Sequence, residues 1–173
     1  MKNQAPDLIT EELKDWTPSA EAQHLMMWRV MHLLMARYGS IPLGQALVGI
    51  TNTVLNEMGH APTVTELCEA TGLPKSSISR YISAQMEQGV VTEDIDPRDR
   101  RRRMLRQTDE GRKERQWMIR EMRQIVSDLH EQDLERGTSP ADPELELQRM
   151  KAIAAKAPEE YHAKRRRGRR NAA

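Results

Sequence analysis

Residues 62–112 read PTVTELCEATGLPKSSISRYISAQMEQGVVTEDIDPRDRRRRMLRQTDEGR. Thr63 opens a helix with a capping box: its hydroxyl faces the amide of Glu66, and the Glu66 carboxylate reaches back to the amide of Thr63. Leu67, Cys68 and Leu73 point to one side, and Gly72 permits the turn that follows. A second short helix is predicted from Lys75 to Gln88. Ile78 and Ile82 lie on one side of it, and Ser76, Ser77, Ser79, Arg80 and Ser83 on others; Gly89 stops it. Val90–Ile95 and Arg102–Thr108 then read as two short strands around the turn Asp96-Pro97-Arg98-Asp99, on their β-branched start, the proline turn and their length.

Helix, tight turn, helix and two-stranded hairpin, in that order, make a winged helix-turn-helix. The second helix of such a unit can lie in the major groove of DNA and present side chains from its N-terminal half. Lys75, Ser76, Ser77, Ser79 and Arg80 are the candidates there. Hydroxyls reach phosphates or base edges, and arginine bonds bidentately to guanine. The hairpin tip offers Arg98, Arg100, Arg101, Arg102 and Arg103 to the backbone or to a narrow minor groove, which attracts guanidinium. Five arginines in six residues repel one another unless an anionic partner is present. Asp96 reads as structural, because its charge repels phosphate.

The rest of the chain flanks this unit. Residues 1–16 form a tail without clean periodicity. Thr17-Pro18 offers an N-cap and a first-turn proline. The helix that follows is rich in Met and Leu and apolar on more than one face, as expected of a helix buried against both its own domain and a partner. A second helix is expected from Pro42 to Met58, with Leu47, Ile50, Val54, Leu55 and Met58 inward. Thr108 caps a long helix whose Asp109 and Glu110 suit the positive end of the dipole. Gly137 to Pro140 is a linker, and Asp142-Pro143 starts a last helix. The resulting division is a tail (1–16), N-terminal dimerisation helices (17–60), the winged-helix lobe (61–108), C-terminal dimerisation helices (109–157) and a disordered basic tail (158–173). The fold class is mostly α with a small β-hairpin wing.

The formal net charge is only +1, yet the charges are segregated. Residues 1–60 carry net −2, residues 61–123 net +2, residues 124–163 net −5, and the last ten net +6. Of 27 cations, 12 lie in the two stretches Arg98–Arg106 and Lys164–Arg170. Distribution, not total, is what points to a polyanion. The tail cluster Lys164, Arg165, Arg166, Arg167, Arg169 and Arg170 binds any polyanion and carries no sequence information. It reads either as a DNA-binding arm or as a nonspecific solubility or RNA-binding tail.

Other classes are excluded. A single cysteine rules out a disulfide scaffold. The apolar run Met26–Ala36 carries Arg29 and His32 and is too short for a membrane span. Six aromatic residues, none of them Phe, disfavour base-stacking sheets. Phosphate loop, nucleophile elbow and paired-histidine motifs are absent, so an enzyme is not expected. No cofactor is expected, and the five histidines show no metal spacing. Cys68 occupies a small core slot where a thiol is inert. The protein is expected in the cytoplasm.

The stretch Pro62–Arg112 resembles the MarR family of bacterial transcription regulators, most specifically in Asp96-Pro97-Arg98-Asp99-Arg100-Arg101 followed by Thr108, Glu110 and Gly111. The resemblance implies that Arg98 enters the minor groove and that Asp96 pairs with a nearby arginine to stiffen the wing. It implies a homodimer interlocked through first and last helices, double-stranded DNA with an inverted repeat as partner, and release by a small-molecule effector. Gln85 stands where the family has an apolar residue, with Met86 one place later, and Pro74 replaces a serine cap. The expectation is thus a dimeric repressor on a palindromic operator. The rivals are a sequence-independent, chromosome-associated DNA binder and a winged-helix protein-interaction adaptor.

Overall fold

The computed structural model describes residues 13–155; the first part of the N-terminal tail and the basic tail from residue 158 lie outside the described residues. Its elements are α1 (Ala20–Tyr38), α2 (Leu43–Glu57), α3 (Val64–Thr71), α4 (Lys75–Glu87), β1 (Val91–Ile95), β2 (Arg103–Gln107) and α5 (Asp109–Arg136), followed by α6 over residues 143–155. Among the described residues the fold is therefore mostly helical with one antiparallel hairpin. Two compact units are present: Ile41–Met118, and the described residues on either side of it.

In the Ile41–Met118 unit, the buried core is Val48, Leu67, Ile78, Ile82, Val91 and Leu105, with Cys68 partly buried against it. The Thr63 capping box forms as expected, with Thr63 N–H donating to Glu66 Oε2 at 2.6 Å and Glu66 N–H donating to Thr63 Oγ1 at 3.2 Å. Gly72 closes α3 at φ 70°, ψ 9°, the left-handed conformation that costs other residues about 1–2 kcal/mol. The hairpin pairs Val91 with Gln107 through Ile95 with Arg103.

Helix α2 packs with α3, α4 and the hairpin, and its orientation differs from the expectation. Val48 and Asn52 are buried and Leu55 joins the core. The expected inward residues Leu47, Ile50, Val54 and Met58 are exposed instead. The helix carries two apolar faces at helical spacing, and a polar group decides between them. Asn56 Nδ2 donates to Asn52 Oδ1 (3.0 Å) and to Leu105 O (3.0 Å), and Gln107 N–H donates to Asn56 Oδ1 (3.2 Å). Asn56 thus meets the free edge of β2 as a neighbouring strand would. Burying polar side chains costs free energy unless they are hydrogen-bonded, so this face of α2 must turn inward.

In the other unit, Ala22 of α1 and Leu129 of α5 are buried. Ser19, two residues beyond the expected cap at Thr17, caps α1, its hydroxyl accepting from Ala22 N–H at 3.0 Å. The same hydroxyl donates to Asp133 at 2.9 Å, which selects Ser19 over Thr17. Arg29 pairs with Asp128 at 2.9 Å. Among the described residues no helix is long and apolar enough to cross a membrane.

Candidate nucleic-acid interface

Pro74 holds the N-cap of α4 at φ −60°, ψ 144°, and, as its missing hydroxyl requires, no side chain caps the helix. The amides of Ser77 and Ile78 instead donate to Pro74 O at 2.9 and 3.1 Å. Helix α4 buries Ile78, Ile82 and Gln85. Opposite them, Lys75, Ser76, Ser79, Arg80 and Ser83 are exposed. Ser76, Ser79, Arg80 and Ser83 follow the spacing of a single helix face. Ser77 lies off this face and is half-buried. Ser83 belongs to the face although only the first turns of the helix were singled out from the sequence; its spacing of four from Ser79 is the signal for it.

Gln85 takes the slot that an apolar residue usually fills, while Met86 stays 39% exposed. The helix keeps its register because α2 makes room. A Cβ at Gly49 would stand 3.3 Å from Gln85 Nε2. Arg80 places its guanidinium 5.2 Å from the Tyr81 ring centroid, within cation–π range.

The structure divides the five wing arginines. Arg102 Nη2 lies 2.9 Å from Glu66 Oε1, and its Nη1 lies 3.8 Å from Asp96 Oδ2. Arg103 pairs with Glu93 at 3.1 Å, and Arg106 with Asp94 at 2.8 Å. Arg98, Arg100 and Arg101 are exposed and form no ion pair among the described residues. The backbone beneath them is held by short carboxylates: Arg98 N–H donates to Asp96 Oδ1 and Arg101 N–H to Asp99 Oδ1, each at 2.9 Å. Asp96 thus supports the turn in two ways, through an amide and through a guanidinium.

Glu66 joins the wing to the helix-turn-helix. Burial pushes its carboxyl up, but the Thr63 amide and hydroxyl, then Arg102 and His60, outweigh it and hold the group below the ordinary glutamate value. His60 Nε2 stands 3.3 Å from the same oxygen that Arg102 contacts.

Further contacts position the hairpin. Leu105 N–H donates to Pro62 O at 2.7 Å, and Gln107 Nε2 donates to Thr53 Oγ1 at 2.9 Å. At its far end, Thr108 Oγ1 donates to Gly89 O (2.6 Å) and accepts from Gly111 N–H (3.0 Å), capping α5. Gly111 packs so closely that a Cβ there would lie 2.2 Å from Val90 O. The cluster Lys164–Arg170 lies outside the described residues.

Residues 53–102 match the model of the MarR family. Among solved structures, RV1404 from Mycobacterium tuberculosis is 18% identical over 80% of this chain and 90% of that one, with a TM-score of 0.56. A mutant of S. aureus MepR bound to an oligodeoxyribonucleotide is 21% identical over 79% of this chain and 89% of that one, with a TM-score of 0.50. At these identities the likeness is one of fold. No curated protein matches the chain.

Proposed function

We propose that this chain, whose winged helix matches the MarR family over residues 53–102, is a DNA-binding transcription regulator. It acts as a homodimer on a palindromic operator, as a repressor, and is not an enzyme. One observation carries the reading. The stretch Lys75–Ser83 presents hydroxyls and cations with no carboxylate, and in the same compact unit Arg98, Arg100 and Arg101 stand exposed without a carboxylate partner. Duplex DNA, with one negative charge per ~1.7 Å of axis, satisfies such a surface. The oligodeoxyribonucleotide bound by the MepR mutant supports the same ligand class.

The homodimer reading is supported by α1. Met27, Met31 and Met35 recur every four residues and are 56%, 49% and 55% exposed. An apolar stripe of this kind marks an interaction surface, and a second copy of α1 and its neighbours covers it. Two lobes then place two α4 helices in successive major grooves, ~34 Å apart. Release by a small-molecule effector follows from the family resemblance.

The test is binding of the full chain to inverted repeats from the DNA upstream of its own gene, against scrambled duplexes. A specific regulator prefers its site by ~10³-fold or more. A preference below about tenfold leaves a sequence-independent DNA binder, and absence of binding to either leaves a protein-interaction adaptor. Sedimentation at micromolar concentration reads the dimer.

A further inference from the structure

Resting on the regulator reading above, we infer that His60, Glu66 and Arg102 form a proton-operated latch between α3 and the wing. A charged His60 takes over the Glu66 oxygen that holds Arg102, and the freed guanidinium adds a phosphate contact. The chain then holds DNA more strongly in mildly acid solution.

The latch sits on a segment whose backbone is fixed. Gly59, just past the end of α2, is left-handed at φ 82°, and His60 N–H donates to Leu55 O at 2.9 Å. Ala61 and Pro62 are buried, and Pro62 O accepts from Leu105 N–H of β2 at 2.7 Å. The His60 side chain itself is 47% exposed, and its Nε2 lies 3.3 Å from Glu66 Oε1. Arg102 Nη2 lies 2.9 Å from that same oxygen. Glu66 Oε2 is engaged by Thr63 N–H at 2.6 Å, which leaves Oε1 to both side chains.

A neutral imidazole can share the oxygen with a guanidinium, but two cations drawn to one oxygen repel each other at short range. Arg102 is the one free to leave. His60 has a short side chain on a held backbone. Arg102 has a long stem, is 38% exposed, and its other carboxylate, Asp96, stands 3.8 Å away. The remaining charges around the latch are engaged elsewhere or face solvent. Glu57, three residues before His60, pairs with Arg115 at 3.3 Å. Asp96 accepts from Arg98 N–H at 2.9 Å, and Glu69, one turn beyond Glu66 on α3, is exposed. Glu66, held below the ordinary glutamate value, keeps its charge across the range in which histidine gains one. Of the five histidines in the chain, only His60 falls within the Ile41–Met118 unit. A released Arg102 joins Arg98, Arg100 and Arg101 as a further wing cation open to phosphate.

Two measurements on the full chain test the latch. The first needs no DNA: NMR follows the His60 ring and the Arg102 guanidinium from about pH 8 to about pH 5.5, the span over which histidine gains its charge. The Arg102 signal is expected to move with the His60 ring. His60→Gln, which keeps a hydrogen-bonding side chain without the charge, should hold it still. The second is the slope of log K against log salt on a duplex of random sequence, since phosphate contacts need no operator. The parent slope is expected to steepen by up to ~0.9 at the acid end, while His60→Gln and Arg102→Ala each stay close to the parent's alkaline slope. An Arg102 signal indifferent to His60, or a steepening as large in either variant as in the parent, would overturn the latch and leave a DNA-binding regulator. Binding to no duplex at either pH would overturn both.

Discussion

Arg102 of the wing and Glu66 of α3 are joined at 2.9 Å, and Glu66 is also the residue that closes the capping box over Thr63. One carboxylate therefore sets both the start of the helix-turn-helix and the lean of the hairpin. Glutamine can keep the capping box but carries no negative charge to pair with a guanidinium. Glu66→Gln should therefore preserve the fold and loosen the wing. Both side chains are more than a third exposed, and solvent screening limits the pair to about 1 kcal/mol. That corresponds to a melting decrease of ~2–4 °C for a chain of this size. Thermal melts at neutral pH read it. An unchanged melting temperature together with unchanged DNA affinity would show that the link does nothing.

The division among the wing arginines predicts unequal effects on salt dependence. Arg98→Ala, Arg100→Ala and Arg101→Ala should each lower the slope of log K against log salt by up to ~0.9, because a cation that displaces counterions is lost. Arg102→Ala should leave the slope closer to that of the parent chain and instead lower the melting temperature, since Glu66 and Asp96 lose their partner. Binding measured over a salt series separates the two behaviours. Equal slopes for all four variants would mean that the ion pairs seen here do not persist on DNA.

Gly111 gives a prediction about packing. It sits in the first turn of α5, where a Cβ would meet Val90 O at 2.2 Å and Val90 C at 3.1 Å. Those are backbone atoms of the residue leading into β1, so no side chain can swing aside. Gly111→Ala should cost about 1–3 kcal/mol as an overpacked site, although alanine is the better helix former elsewhere. A melting temperature equal to or above that of the parent would contradict the close approach.

How much of this was legible in the sequence depends on whether the deciding contact is local. The Thr63–Glu66 box, the Gly72 turn, the hairpin around Asp96-Pro97-Arg98-Asp99 and the start of α5 at Thr108 all rest on residues a few positions apart, and they were readable. The face of α2 was not. Leu47, Ile50, Val54 and Met58 make as good an apolar stripe as Val48 and Leu55, and only the distant strand β2 reveals that Asn56 must face inward. The wing arginines are alike as residues, and which of them stay unpaired depends on Glu66, thirty-six positions from Arg102, and on Glu93, the partner of Arg103 on the facing strand. Gln85 was readable as an anomaly, but its burial follows from Gly49 on another helix.

Asp133 provides the last prediction, outside the winged helix. It accepts hydrogen bonds from Trp16 Nε1–H (3.2 Å), Ser19 N–H (3.1 Å) and Ser19 Oγ–H (2.9 Å), and Arg136 lies 2.9 Å away. Burial pushes the carboxyl up, but the Ser19 amide and hydroxyl, then Trp16 and Arg136, outweigh it, leaving the group below the ordinary aspartate value. The sign of the effect follows from linkage. A carboxyl depressed in the folded state adds stability that is complete above its unfolded value of about 4 and is lost as pH falls through the folded value. Asp133→Asn removes the charge at every pH. Its penalty should be largest near neutral pH and shrink once the parent's Asp133 is itself protonated. Melts of parent and variant at neutral pH and at about pH 3, below the unfolded value, should converge toward the acid side. A gap of constant size at both pH values would show that shape alone, not the carboxylate, ties the start of α1 to α5.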